Sequence, residues 1–316
     1  MTQKVNPQIQ QFLDQFNAFM LTQPKQIPVE AGRLAYEHFS IMQSGIPLRM
    51  SRVEDLTIPV SNGSEQIPVR IYTPQLGVQL PALIYYHGGG WQRGSITTHD
   101  SICRNLALKA NCIVMSVEWR LAPEHRFPIG LEDCWDAYHW FLEHGPKDYN
   151  VDPHRIAIGG DSAGGNMTAV TIQRLKNENK HLPKFQLLLY AALDLGCSMP
   201  SYATYADGYF LSAEHVQYYV DHYLHSRAEV DDPMASPLRA KDLSGLPATH
   251  IVTAGFDPLR DEGQAYYEKL KQFGVPATYK CYESMIHAFL HMTGTVPEVN
   301  QIIDEIAARL KEGLSA

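Results

Sequence analysis

Apolar residues follow two rhythms along this chain, and the change of rhythm divides it. Residues 8–21 place Ile9, Phe12, Leu13, Phe16, Phe19 and Met20 at helical spacing, which predicts an amphipathic helix. Pro24 and Pro28 break that pattern, and a second helical stretch is expected from about Arg33 to Met42. Residues 52–60 and 66–73 then alternate or run apolar. Between them lies Ser61-Asn62-Gly63-Ser64, and Asn-Gly is a hairpin signal. Short apolar runs follow: Leu83–Tyr86, Ile113–Val117, Ile156–Ile158, Phe185–Tyr190 and His250–Ala254, with a last strand near 277–282. Helical stretches near 99–110, 131–144, 165–178 and 258–273 separate most of them, and a C-terminal helix is expected near 297–312. Short buried strands alternating with helices predict an α/β fold: a mainly parallel central sheet of about eight strands, covered on both faces. Residues 197–230 interrupt the alternation. They carry Tyr202, Tyr205, Tyr209, Tyr218, Tyr219 and Tyr223 and little strand signal. An insertion there, with the N-terminal helices, could cap the sheet.

Composition narrows this picture. The chain has 316 residues, 45% hydrophobic and 19% charged, enough for one large α/β domain with added pieces. The formal charge of -8 argues against a nucleic-acid partner. The five cysteines, Cys103, Cys112, Cys134, Cys197 and Cys281, form no C-x-x-C pair, so neither a zinc site nor a disulfide framework is expected. Residues Met1 to Pro7 lack the apolar core of a signal peptide, and no apolar run is long enough to span a bilayer. The expectation is a soluble, cytoplasmic protein without stable membrane insertion.

The chemistry begins at Gly160-Asp161-Ser162-Ala163-Gly164-Gly165-Asn166, after the apolar run ending at Gly159 and before a helical stretch. A Gly-x-Ser-x-Gly core on a strand-to-helix turn holds its serine strained and exposed, which points to a nucleophile for covalent acyl transfer. Such a serine needs a base, and the base needs an orienting acid, in the chain order Ser, Asp, His. Asp257 follows the run His250–Ala254, where α/β sheets place their sites. It also suits a helix N-cap, with Pro258 at the first helical position. Asp261 is the alternative acid, expected one turn into the helix and facing away. His287, in the loop after the last strand, is the expected base. His287 and His291 stand at i,i+4, but no HExxH or cysteine cluster supports a metal pair. His87-Gly88-Gly89-Gly90-Trp91, directly after a strand, can present backbone N–H groups to an oxyanion. The N–H of Ala163 is the second donor expected.

These motifs together resemble the bacterial hormone-sensitive-lipase-like esterases, a branch of the α/β-hydrolases. The likeness covers about residues 80–292. It rests also on Arg120-Leu121-Ala122-Pro123-Glu124-His125, Ser236-Pro237-Leu238, Asp257-Pro258-Leu259-Arg260-Asp261 and Met285-Ile286-His287. It implies an α/β-hydrolase catalytic domain over 51–316 with a cap insertion at about 197–230, and residues 1–50 as the N-terminal part of the cap. It implies Ser162 as nucleophile, Asp257 as acid and His287 as base, and an oxyanion hole from Gly89, Gly90 and Ala163 with Gly88 in reserve. Arg120 and Glu124 would fix the glycine loop as a buried ion pair. Trp91, Tyr209, Phe210, Leu211, Phe289 and Leu290 are the expected pocket residues. The substrate implied is a small ester of short-to-medium acyl chain, with no metal or organic cofactor required. An exposed strand edge or the C-terminal helix could support a homodimer. Trp119, Ala191 and Ala288 stand where the family often has Tyr, Pro and Gly, and Ala288 would narrow the mouth near His287.

Two rival readings share the motifs. One is an amidase or deacetylase using the same triad. The other is a small-ligand-binding protein on an inactive hydrolase scaffold, which the joint presence of Ser162, Asp257 and His287 disfavours.

Overall fold

A computed structural model of the chain describes residues 4–23, 27–61 and 65–315. Eight strands form one sheet in the order β1-β2-β4-β3-β5-β6-β7-β8. They are β1 (Arg52–Pro59), β2 (Gln66–Thr73), β3 (Leu80–Tyr86), β4 (Ile113–Val117), β5 (Val151–Asp161), β6 (Phe185–Leu189), β7 (Ala248–Phe256) and β8 (Ala277–Ile286). β1 and β2 pair antiparallel, and β2 runs antiparallel to β4. From β4 to β8 every pairing is parallel. The expected hairpin therefore exists, although its turn residues 62–64 lie outside the described part.

The parallel strands read as unbroken apolar runs because both faces are buried. In β3, Ala82, Ile84 and Tyr86 point into one core and Leu83 and Tyr85 into the other. The first core is covered by α4 (Ile129–Tyr149), α5 (Ala163–Asn177) and α8 (Arg260–Gln272). The second is covered by α3 (Asp100–Ala110) and α9 (Pro297–Ser315), with Ile9 and Leu13 of α1 (Pro7–Met20) joining them. Two helices outrun their expected ends. α2 spans Val29–Ser44, and α4 continues through Gly145 and Pro146 to a left-handed Asn150. A proline in the last turn removes only one donor, so the helix survives it.

The segment 197–230 holds α6 (Pro200–Thr204) and α7 (Ala213–Tyr223). Val216, Tyr219, Val220 and Tyr223 of α7 are buried against the first core. α2 is tied down at two places. Arg33 donates to the carbonyl oxygens of Gln92 and Ala122, and Tyr36 Oη pairs with His291 Nε2 at 2.9 Å. No described helix is long and apolar enough to cross a membrane.

Candidate active site

Ser162 stands between β5 and α5 with φ 54 and ψ -119. This left-handed region is sparsely used by non-glycine residues, and it persists only where the surroundings enforce it. The turn is enforced from both sides. Ser162 N donates to Leu189 O at 2.9 Å, and the Ser162 carbonyl accepts from Asn166 N and Ala192 N, each at 3.1 Å. Side chains at Gly160 or Gly164 would strike the carbonyl oxygen of Tyr86. The two outer positions of the motif therefore require glycine for close backbone approach.

The chain ends of β5, β7 and β8 converge on one line of three side chains. Ser162 Oγ lies 2.9 Å from His287 Nε2, and His287 Nδ1 lies 2.7 Å from Asp257 Oδ2. A carboxylate facing Nδ1 places the proton there, leaving Nε2 as the acceptor for the serine hydroxyl. Asp257 is fully buried, and its other oxygen accepts from Leu259 N at 2.9 Å. That bond closes a turn ahead of α8, which starts at Arg260 with Leu259 as its N-cap, so Asp257 is not the helix N-cap the sequence also allowed. Asp261 does not reach the histidine: it accepts from Ser201 N and pairs with Arg260.

The glycine loop departs from expectation in one respect. The Gly88 N–H donates to Asp161 Oδ1 at 2.9 Å, so it is not free to receive an oxyanion. Gly89 and Gly90 line the cleft beside Ser162, and among the described residues their N–H groups find no acceptor. Ala163 N–H begins α5, where an intrahelical partner is lacking. Three unspent donors therefore stand near the serine.

Asp161, the residue before the serine in the motif, organises this loop. Besides Gly88 it accepts from Tyr85 Oη at 2.8 Å and faces His99 Nε2 at 3.1 Å. Burial alone would push its carboxyl up. The adjacent His99 and the Tyr85 hydrogen bond instead hold it well below the ordinary carboxylate value. His99, Asp161 and His291 each offer a ligand atom within 4.8 Å of the others, the only such buried group of three among the described residues. The first two already face one another at 3.1 Å, and His291 bonds Tyr36 rather than joining His287.

Burial and the neighbouring His99 push His291 down to about 3. An unfolded histidine titrates near ~6.5, so below that pH the unfolded chain binds the extra proton and the folded chain does not. His291 therefore contributes stability that is present above ~6.5 and is lost as pH falls toward its folded value. Between pH 8 and pH 5 the loss is about 2 kcal/mol. His291→Asn should shrink the pH dependence of stability by that amount, measured as urea midpoints of both proteins at the two pH values. Equal pH dependence would show that His291 is not held neutral.

Among the described residues, Arg120 and Glu124 do not form the pair expected to brace the loop. Arg120 instead pairs with buried Asp133 at 2.6 Å and with Glu65, while exposed Glu124 pairs with Arg33 at 2.6 Å. Asp133 lies on α4 and Arg33 on α2, and both are nearer in space than the i,i+4 neighbour. Arg33, which also holds the Gln92 carbonyl, is the arginine that braces this loop.

A narrow cleft opens above Ser162. Of the residues expected to line it, Trp91, Phe210 and Leu211 do. Tyr209 packs on Tyr205 and Phe256 instead. Phe289 and Leu290 are buried in the second core, because the chain after His287 enters a 3₁₀ turn that points both side chains inward. Tyr36, Arg93, Val216 and Tyr219 take their place in the wall, and no local signal in their segments announced it. Ala288 does line the cleft, with φ 61, a conformation in which glycine would be unstrained.

Comparison with known proteins follows the same line. A family model described as alpha/beta hydrolase fold matches residues 83–291. The carboxylesterase NlhH of Mycobacterium tuberculosis is similar to this chain, 38% identical over 269 residues that make up 84% of each protein. Among solved structures, an ester-hydrolase from the metagenome of Lake Arreo superposes with TM-score 0.94 at 36% identity, covering 99% of this chain and 100% of that one. A hyperthermophilic esterase from the archaeon Pyrobaculum calidifontis superposes with TM-score 0.91 at 37% identity, covering 98% of each chain.

Proposed function

The chain belongs to the alpha/beta hydrolase fold family, in its hormone-sensitive-lipase-like branch of carboxylesterases, and from that membership we propose that it cleaves short-to-medium acyl esters through an acyl-enzyme formed on Ser162. The observation that carries this reading is the unbroken line from Ser162 Oγ through His287 to Asp257, at 2.9 and 2.7 Å, beside unspent N–H donors.

The chemistry follows from the geometry. His287 Nε2 takes the Ser162 proton as Oγ attacks the ester carbonyl. The carbonyl π electrons move onto oxygen, and the N–H groups of Gly89, Gly90 and Ala163 receive that oxyanion. Asp257 holds the imidazole tautomer and stabilises the imidazolium. The tetrahedral adduct collapses, the ester C–O bond breaks, and His287 returns the proton to the leaving alkoxide. A water deprotonated by His287 then attacks the acyl carbon, and collapse releases the acid and restores Ser162.

We infer that residues 1–50 and about 197–230 act together as the cap. Tyr36 from α2 and Phe210, Leu211, Val216 and Tyr219 from the insertion wall the cleft and limit its depth. A p-nitrophenyl ester series from acetate to palmitate tests the whole reading. Activity should peak at about four to eight acyl carbons, with these cap residues limiting the chain length that the cleft admits. A maximum at palmitate would refute the capped cleft, and no hydrolysis at all would refute the esterase reading.

A further inference from the structure

Arg93 is the only arginine or lysine among the residues lining the cleft. It belongs to the oxyanion turn itself. Arg93 N donates to Gly89 O at 3.0 Å, and a side chain at Gly89 would strike the Arg93 carbonyl. The turn that presents the oxyanion donors therefore fixes Arg93 relative to Ser162.

Its guanidinium carbon lies over two aromatic rings, 4.6 Å from the Tyr36 centroid and 5.0 Å from that of Tyr219. One ring comes from α2 and the other from α7. Two ring faces stabilise a cation without accepting the conventional hydrogen bonds that its five N–H donors can make. Among the described residues no acceptor takes a hydrogen bond from the Arg93 side chain, no carboxylate pairs with it, and its Nε is buried without a partner. Arg33, Arg70, Arg174, Arg239 and Arg260 all meet carboxylates. Asp161, the carboxylate that also lines the cleft, is committed to His99, Tyr85 and Gly88. An ionised, partly desolvated donor set left open beside a nucleophile is costly unless a ligand completes it. A planar guanidinium with open donors can present two parallel N–H groups to a planar two-oxygen acceptor.

We propose that Arg93 is a specificity-determining residue that receives a carboxylate on the substrate, so that the preferred substrates are esters carrying a free carboxylate close to the scissile bond. This rests on the esterase reading above. The competing role is mechanical, with Arg93 as a strut tying α2 to α7. A strut would affect every substrate alike.

The test compares two matched pairs in wild type, Arg93→Met and Arg93→Lys. Monoethyl succinate against ethyl pentanoate places the carboxylate on the acyl side. The butyrate ester of glycolate against propyl butyrate places it on the alcohol side. Methionine keeps an unbranched apolar stem between the rings. In at least one pair the wild type should favour the carboxylate ester. Arg93→Met should lower that preference by about 100-fold, chiefly through KM for the carboxylate ester. Lysine should restore part of the loss, since it keeps the charge without the fork. The responding pair identifies the side of the ester that Arg93 reads. If the wild type cleaves the neutral ester at least as well in both pairs, the proposal fails and the esterase reading stands. If no ester of either pair is cleaved, the esterase reading fails and takes the proposal with it.

Discussion

Ser162→Ala is expected to lower kcat for ester hydrolysis by about ten-thousand- to million-fold, with the protein still folded. Alanine removes one oxygen and leaves the turn intact. The bonds from Ser162 N to Leu189 O and from Asn166 N and Ala192 N to the Ser162 carbonyl are all backbone. What is lost is the only hydroxyl within reach of His287 Nε2 among the described residues. The unspent donors of Gly89, Gly90 and Ala163 would still bind a carbonyl oxygen, so weak turnover by direct attack of water would remain. A steady-state assay on a short p-nitrophenyl ester, with the urea midpoint as a folding control, decides it. Activity within about tenfold of wild type would place the nucleophile elsewhere.

Asp257→Asn should cost about ten-thousand-fold in kcat, with little change in KM. The carboxylate accepts the Nδ1 proton of His287 at 2.7 Å while its other oxygen accepts from Leu259 N. An asparagine can keep the Leu259 bond with its carbonyl, but its amide then donates toward Nδ1. The histidine proton is driven to Nε2, where it faces the serine as a donor and cannot take the serine proton. The loss thus comes from the wrong tautomer rather than from displaced atoms. Asp261→Asn is the matched control, because Asp261 binds Ser201 and Arg260 and does not touch His287. Equal losses in the two variants would mean that the acid was misassigned or that the helix start, rather than the carboxylate, was being measured.

The sequence carried the fold where burial was simplest. β3, β4 and β6 lie in the middle of the sheet with every residue buried, so they appear as bare apolar runs. β5 begins earlier than its run, at Val151, because Asp152 and His154 sit on its solvent end and hide the strand. The three residues aligned at the site were legible because each follows a strand in a fixed order, and the glycines beside them mark close backbone approach. The cleft walls were not legible. Phe289 and Leu290 are apolar and adjacent to His287, yet a 3₁₀ turn sends them into the core. Tyr36, Arg93 and Tyr219 meet from three segments far apart in sequence, and only tertiary packing joins them. Arg120 and Glu124 show the same lesson: the resemblance implied a pair, but Asp133 and Arg33 from other elements claimed them.

The most direct test of the account is covalent. A fluorophosphonate reacts with a serine only when a neighbouring base activates it and an oxyanion hole receives the phosphonyl oxygen. Incubation of the wild-type protein, followed by peptide mass spectrometry, should find one adduct per chain on the peptide carrying Ser162, and His287→Ala should abolish it. An unlabelled Ser162, or an adduct on another serine, would contradict the assignment of Ser162 as the activated nucleophile.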